Sequence, residues 1–310
     1  MKPLTSVTAV VPVYNAEATL AVLCEELSRA LPGVAERWDI LLVNDGSRDR
    51  SWTVIKELAA TRPEVRGLNL WRNFGQHPAL LCGTRHATGD FVLTLDDDLQ
   101  FLPADVSRLA EAMTAEIDVV YGTPTQKAHK LWRRIASHVL RRALELAVGA
   151  SVARVASPFR LFRTQIRDGF KSFSGPYVSL DVLLAWSAGG FSAVEVEHQT
   201  RHAGRSQYTI RKLAQHALDL ITGFSPRPLR FASYLGFGFT VIGVVVLVFV
   251  VGRYLIEGGS VPGFPFLASL IAIFSGAQLF TLGIMGQYLG RVHQRSLDRP
   301  AYVLRERTPE

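Results

Sequence analysis

Two apolar stretches near the C-terminal end constrain this chain more than anything else in it. Phe231–Ile256 is interrupted by a charge only at Arg253, and Phe264–Gly290 carries none. Each exceeds the roughly 20 apolar residues that span a bilayer as a helix. Between them lies EGGSVPG, Glu257–Gly263, a Gly/Pro break with one acid. Arg227 and Arg230 precede the first stretch, and Arg291, Arg295 and Arg299 follow the second. Basic flanks on both outer ends predict a hairpin of two transmembrane helices over 231–290, both termini cytoplasmic and the break outside. The alternative is a pair of buried helices in a water-soluble core. No signal peptide is expected, because Val7–Val13 is too short an apolar run and ends in Tyr14-Asn15.

The residues before the hairpin alternate between two periods. Apolar, β-branched runs at Val7–Val13, Ile40–Val43, Gly67–Trp71, Phe91–Leu95 and Val119–Tyr121 predict strands. Helical patterns fill the gaps, at Ala16–Leu31, Arg50–Thr61, Gln76–Ala87 and Ala104–Met113. Such alternation predicts an α/β sheet, mostly parallel in its first half. Ligands of such sheets gather at the carboxyl ends of the strands. A formal charge of +7 and a pI near 9.6 point to an anionic partner. Nucleic acid is disfavoured, because the hydrophobicity is concentrated in the hairpin. Cys24 and Cys82 have no metal-type spacing, which fits a reduced, cytosolic setting.

Three polar loops occupy the strand ends: Tyr14–Glu17, Asn44–Ser47 and Asp96–Gln100. The last belongs to TLDDDLQ, Thr94–Gln100, with three consecutive carboxylates. On an extended segment Asp96 and Asp98 share one side and Asp97 faces away, a bystander. Clustered carboxylates repel unless a cation sits between them. Hard oxygen ligands suit Mg²⁺ or Mn²⁺ bridging to substrate phosphates. An acidic turn capping the helix that starts near Pro103 is the competing explanation. PVYNAEAT after the first strand lacks the glycines of a dinucleotide turn, and no P-loop is present. Asn44-Asp45-Gly46-Ser47 offers a carboxylate to a base or ribose, although the same residues make a good turn.

PVYN at 12–15 with Glu17, NDGS at 44–47, RNFGQH at 72–77 and DDDLQ at 96–100 resemble the inverting family 2 glycosyltransferases of GT-A fold. RHAGRSQYT at 201–209, the two spans and the ending GQYLGRVHQRSLDRPAY are similar, more narrowly, to membrane-anchored polyprenyl-phosphate glycosyltransferases. That group contains dolichyl-phosphate mannose synthase and bacterial undecaprenyl-phosphate sugar transferases. The resemblance implies a Rossmann-like catalytic domain with a mostly parallel sheet over 1–207. It implies that Pro12, Tyr14, Glu17 and Asp45 hold the nucleoside. Asp96 would sit by the ribose and diphosphate, and Asp98 with Gln100 would ligate the metal. Asp96, Asp98 and Arg201 are the expected catalytic residues.

A nucleotide-sugar has a diphosphate leaving group whose charge grows as the glycosidic bond breaks, and a divalent cation stabilises it. A hydroxyl acceptor needs a carboxylate base. A lipid phosphate, with a second pKa near 6, is already largely dianionic and needs cations to position it. Lys127–Ala147 supplies them on one face of an amphipathic helix: Lys130, Arg133, Arg134, His138, Arg141 and Arg142 oppose a stripe from Trp132 to Ala147. Such a helix suits a membrane interface, or else it is an ordinary surface helix. The resemblance aligns Arg133 and Ser137 with residues contacting the acceptor phosphate. Arg201 and Ser206 form a second cationic place, alternatively a solvated basic loop. Tyr208–Phe224 repeats the amphipathic pattern in a juxtamembrane segment, 208–230. Gly286, Gly290 and Gln278 serve packing within the hairpin or between subunits, and 291–310 is expected to be a cytoplasmic tail.

The chain departs from the family pattern in three places. Arg154 stands where relatives carry an acid, Gln207 where a lysine follows the serine, and Asn44 where the nucleotide turn begins with an acid. Asp181 in SLDVLLAW is a possible substitute acid, or else a helix-start residue. The reading is transfer of a sugar, with inversion, from a UDP- or GDP-linked donor to a polyprenyl phosphate at the cytoplasmic face of the inner membrane. Its use would be cell-envelope glycan modification. Expected partners are the donor, the lipid phosphate, the bilayer and a second copy of the chain, and no nucleic acid. The alternatives are transfer to a glycan or glycolipid hydroxyl, and a non-catalytic membrane scaffold that binds nucleotide-sugars.

Overall fold

The computed structural model describes residues 3–124, 145, 155–175, 177–197, 199, 225, 227–257 and 263–309. Eight described strands form one sheet in the order β7-β5-β6-β4-β1-β2-β3-β8. They are β1 (Leu4–Val13), β2 (Ala35–Asn44), β3 (Val65–Leu70), β4 (Phe91–Thr94), β5 (Val119–Pro124), β6 (Arg160–Arg163), β7 (Phe191–Val196) and β8 (Leu304–Arg307). β1 pairs in parallel with β2 and β4, β2 with β3, and β5 with β7. β6 runs antiparallel between β4 and β5, and β8 antiparallel to β3. The crossovers are α1 (Leu20–Ala30), α2 (Ser51–Thr61), α3 (Gln76–His86) and α4 (Val106–Glu111). α5 (Leu180–Ser187) precedes β7.

The alternation of β1 explains why the sheet is covered on both faces. Val7, Ala9, Val11 and Val13 share one core with Leu20, Leu23, Cys24 and Leu27 of α1 and Ile55 of α2. Those α1 residues are spaced for a single helical stripe. Val10 points the other way, into a second core with Ala79–Cys82 of α3 and Leu180, Leu183 and Leu184 of α5. Both faces buried is the usual condition of parallel strands. Each such side chain contributes about 1.5–3 kcal/mol of burial. Truncating Leu23 to alanine, a fully buried site, would cost about 2–5 kcal/mol. The five strands and four helices expected from sequence are present, with α1 beginning later, at Leu20, and α4 entered through a 3₁₀ turn at Pro103–Asp105. β4 stops at Thr94, one residue before the apolar run ends.

After the sheet come two long helices, α6 (Arg227–Glu257) and α7 (Phe264–Ser296). They touch through Phe239 and Phe274, whose ring centroids are 5.6 Å apart. Arg227–Ile256 is long and apolar enough to cross a membrane, and none of its apolar stretch is buried. Phe237, Val248 and Leu279 on these helices are 65–70% exposed. Basic Arg227 and Arg230 belong to α6 itself, and Arg291 and Arg295 to α7. Within the expected tail, Leu304–Arg307 forms β8 at the sheet edge.

Candidate active site

The three polar loops do meet, at the carboxyl ends of β1, β2 and β4. Asp45 N–H donates to the Val13 carbonyl at 2.9 Å, extending the β1–β2 register past the strand ends. Asn15, at φ +54°, turns the first loop back so that its N–H donates to Ser47 Oγ at 3.0 Å. Arg48 N–H returns a bond to Asn15 Oδ1 at 2.8 Å, and Ala16 N–H donates to Ser51 Oγ at 2.9 Å. Glu17 Oε2 accepts from Arg50 N–H at 2.9 Å, and Glu17 N–H donates to Asp49 Oδ2 at 3.2 Å. Glu17 thus ties the two loops together. Tyr14 is 38% exposed and Pro12 is buried at the end of β1.

Asp45 holds the loop after β3. Phe74 N–H donates to its Oδ1 at 2.7 Å and Gly75 N–H to its Oδ2 at 2.8 Å. Burial pushes this carboxyl above its usual value, against the downward pull of those two N–H groups and of Arg72. A carboxylate kept in such a place is common at functional sites. Gly46 makes the approach possible. At φ +63°, a Cβ there would lie 2.4 Å from the Arg72 carbonyl carbon. Asp49 behaves oppositely. Burial raises it, but Ser51 and the Glu17 N–H donate to it, and the balance falls below the usual carboxylate range.

The acidic loop corrects the strand-based expectation. Because β4 ends at Thr94 and Leu99 adopts φ +57°, Asp97 and Asp98 lie in a turn, where alternation no longer sets direction. Asp97 has a structural partner: its Oδ2 accepts from Tyr14 N–H at 3.1 Å, pinning the first loop to the third. Gln76 donates its amide to Asp96 Oδ1. Asp98 is 7% exposed, and its Oδ1 accepts from Gln100 N–H at 3.1 Å. Gln100 is held in turn by Gln199, whose N–H donates to the Gln100 carbonyl at 2.8 Å.

Beneath this loop a polar row crosses the sheet. Thr94 of β4 pairs with Arg160 of β6, which pairs with Tyr121 of β5. Paired residues in adjacent strands face the same side. Arg160 Nε donates to Thr94 Oγ1 at 3.0 Å, and its Nη1 to Asp181 at the start of α5. Tyr121 OH donates to the same Asp181 oxygen at 3.2 Å. His77 Nδ1 accepts from Leu180 N–H at 3.3 Å, tying the start of α5 to the start of α3. Arg160, Gln76 and Asp97 were not anticipated as site residues, since their roles come from partners distant in sequence.

Among the described residues, no three His, Cys, Asp or Glu side chains converge as a ready metal cage. A hard cation that takes few protein oxygens and completes its shell from a bound phosphate fits Asp98 and its neighbours. Arg133, Ser137, Arg201 and Ser206 lie outside the described residues. So do Arg154, Gln207, most of the helix expected at about 127–147, and the segment 208–224.

Comparison with known proteins gives a consistent picture. The model of glycosyl transferase family 2 matches residues 8–170. The undecaprenyl-phosphate 4-deoxy-4-formamido-L-arabinose transferase of Pectobacterium atrosepticum is 32% identical over 305 residues, spanning 97% of this chain and 93% of that protein. The protein of the same name from Pseudomonas aeruginosa strain UCBPP-PA14 is 32% identical over 306 residues, 97% of this chain and 90% of its own length. An uncharacterized glycosyltransferase of Bacillus subtilis is 29% identical across 96% of this chain and 92% of its own. Among solved structures, glucosyl-3-phosphoglycerate synthase from Mycobacterium tuberculosis superposes with a TM-score of 0.52 at 16% identity, over 70% of this chain and 78% of that one. That likeness is one of fold, and the fold is the GT-A α/β fold.

Proposed function

The chain belongs to glycosyl transferase family 2, and from that premise we infer that it moves a sugar from a nucleotide donor to a polyprenyl phosphate at a membrane surface. It is a glycosyltransferase, which sets the scaffold alternative aside. The observation that carries the lipid acceptor is the alignment, over nearly its whole length, with transferases named for undecaprenyl phosphate. The exposed apolar surface of α6 and α7 agrees with it.

On this reading the stitched loops bind the donor. Pro12, Tyr14, Glu17 and Asp45 form the nucleoside side, with Asp96 toward the ribose and diphosphate. Asp98 and Gln100 would hold Mg²⁺ or Mn²⁺; the solved M. tuberculosis synthase has been captured with Mn²⁺ and UDP-glucose. When bound, the cation supplies positive charge where the leaving diphosphate becomes more negative. The acceptor phosphate oxygen forms the new bond to the anomeric carbon as the bond to the diphosphate breaks, with inversion. No proton has to leave a dianionic phosphate, so the chain needs cations at the acceptor, for which Arg133, Ser137, Arg201 and Ser206 are the candidates. Arg227, Arg230, Arg291, Arg295 and Arg299 support a hairpin with both ends on the cytoplasmic side of the inner membrane.

A panel of UDP- and GDP-sugars offered with undecaprenyl phosphate and Mg²⁺ or Mn²⁺ tests this directly. Labelled sugar should reach the lipid with one donor and stop doing so in Asp98→Asn. Transfer to glycan hydroxyls alone, with none to any polyprenyl phosphate, would replace the lipid acceptor by the hydroxyl one.

A further inference from the structure

β8 lies at the edge of the sheet, yet the strand it pairs with leads straight into the site. β3 continues into Trp71–Gly75, the loop whose Phe74 and Gly75 N–H groups Asp45 grips. The residues after α7 are held against the domain at successive points, the last of them on this strand and loop. Asp298 Oδ1 accepts from Ser174 Oγ at 3.1 Å, and Ala301 is buried in the second core. The Tyr302 ring lies 5.7 Å from the Arg85 guanidinium. Trp71 N–H donates to the Val303 carbonyl at 3.0 Å, and Arg305 lies over the Trp71 ring at 5.2 Å. Gly67 N–H donates to Thr308 Oγ1 at 2.9 Å, and Thr308 N–H returns to the Gly67 carbonyl at 3.0 Å. A Cβ on Gly67 would meet Ile55 Cγ2 first and Thr308 Cγ2 at 3.0 Å, so the glycine lets both α2 and Thr308 approach the strand.

Side chains carry the connection further, and in one direction. A carboxylate only accepts. Glu306 Oε1 therefore takes the amide N–H of Asn69, at 3.1 Å. That leaves Asn69 Oδ1 to accept from Asn44 Nδ2, at 2.8 Å. Asn69 and Asn44 are 5% and 2% exposed, so water does not substitute for either bond. Asn44 immediately precedes Asp45. An acid at position 44 has no proton to give Asn69, so the amide there is matched to the carboxylate on the tail.

We propose that residues 297–309 are a strap that ties the second long helix to the donor-site loop, with Glu306–Asn69–Asn44 as the relay that sets Asp45 and hence the order of residues 71–75. The chain's end is then a positioning element of the site. Arg291 of α7, stacked at 4.3 Å on Tyr177 just before α5, ties the same helix to the sheet domain at a second point.

The test uses the full-length protein with a stop after Pro300, and reads hydrogen exchange at the Phe74 and Gly75 amides. Exchange there should quicken roughly tenfold while amides of α1 hold, and a peptide of residues 301–310 added in trans should restore protection. Donor KM should rise about fivefold or more with acceptor KM little changed, because the loop rests on the donor side. That kinetic arm depends on the glycosyltransferase reading; the exchange arm does not. Unchanged protection at Phe74 and Gly75 overturns the strap. Faster exchange with an unchanged donor KM keeps the strap and removes the loop from the donor site. Should the truncated chain fail to fold, Glu306→Leu with Thr308→Val decides, the same amides exchanging faster or the proposal falling.

Discussion

Arg160 and Asp181 form an ion pair directly beneath the loop that carries Asp96–Asp98. Arg160 is almost fully buried, while the Asp181 side chain keeps 14% of its surface. Tyr121 adds a third polar group, its hydroxyl pushed well above its usual pKa by burial and by the Asp181 charge. Because Arg160 also binds Thr94, the pair fixes the last residue of β4.

Asp181→Ala would leave a buried guanidinium without its counter-charge and should cost about 3–5 kcal/mol. Asp181→Asn keeps an oxygen for Arg160 and Tyr121, and separates structure from chemistry. With a phosphate acceptor, kcat in Asp181→Asn should stay within about tenfold of wild type; a general base lost there costs about 10²–10⁴-fold. Steady-state kinetics with undecaprenyl phosphate gives the answer, and the larger loss would make Asp181 the base of a hydroxyl-transfer reaction.

Asp98 and Asp97 should fail in different ways. With Asp98 on the cation as proposed, Asp98→Asn weakens that site, so kcat is expected to drop by about 10²-fold or more, with the metal requirement shifted upward. Asp97→Ala removes the acceptor of Tyr14 N–H and loosens the nucleoside loop, so donor KM should rise with kcat less affected. Titrations of Mn²⁺ and of the donor against each variant distinguish these patterns. Matching losses in both would mean that the three carboxylates act as one unit.

Much of this was legible from residues alone, for reasons that also mark where legibility ends. β1, β2 and β4 read as strands because both their faces are buried, and TLDDDLQ could be placed at a strand end for the same reason. The Asp97 bond to Tyr14 N–H was not foreseen, because the chain turns past the end of β4 and Leu99 takes a left-handed backbone. Arg160 drew no expectation from sequence, because its partners are a strand neighbour and a carboxylate on a later helix. β8 was invisible as a strand, since LRER is short and charged, as edge strands often are. The acceptor residues Arg133, Ser137, Arg201 and Ser206 rest on resemblance alone.

Gly46→Ala should be harmful out of proportion to one methyl group. An L-residue at φ +63° costs about 1–2 kcal/mol, and the added carbon meets the Arg72 backbone. The loop after β3 must then move off Asp45. The expected result is a lower thermal midpoint together with a raised donor KM; a variant with native stability and native KM would show that the two loops are not packed as described.

Asp49 gives a pH dependence with a definite sign. Its folded pKa is lowered, so the bonds it accepts from Ser51 and Glu17 stabilise the folded state above its unfolded value, and that stabilisation is lost as pH falls toward its folded value. Ser51→Ala removes one donor to Asp49 and one acceptor for Ala16 N–H. The stability gap between wild type and Ser51→Ala should be widest near neutral pH and narrow in acid. Denaturant titrations at several pH values measure it, and a gap that widens on acidification would contradict the assignment.

The orientation of the proposed hairpin can be read with a single thiol. Cys24 and Cys82 are fully buried, and burial pushes their thiols up to about 11 and about 12. Thiols that are inaccessible and protonated react slowly with maleimides, so the native chain supplies little background. Ser260→Cys puts one new thiol in the break between the two apolar stretches. If both flanks of arginine are cytoplasmic, that thiol faces the far side of the inner membrane. A maleimide that crosses the outer membrane but not the inner one should label Ser260→Cys in intact cells. Labelling that appears only after the inner membrane is permeabilised would invert the hairpin, and would move the catalytic domain away from the cytoplasmic nucleotide-sugars that the proposed reaction requires.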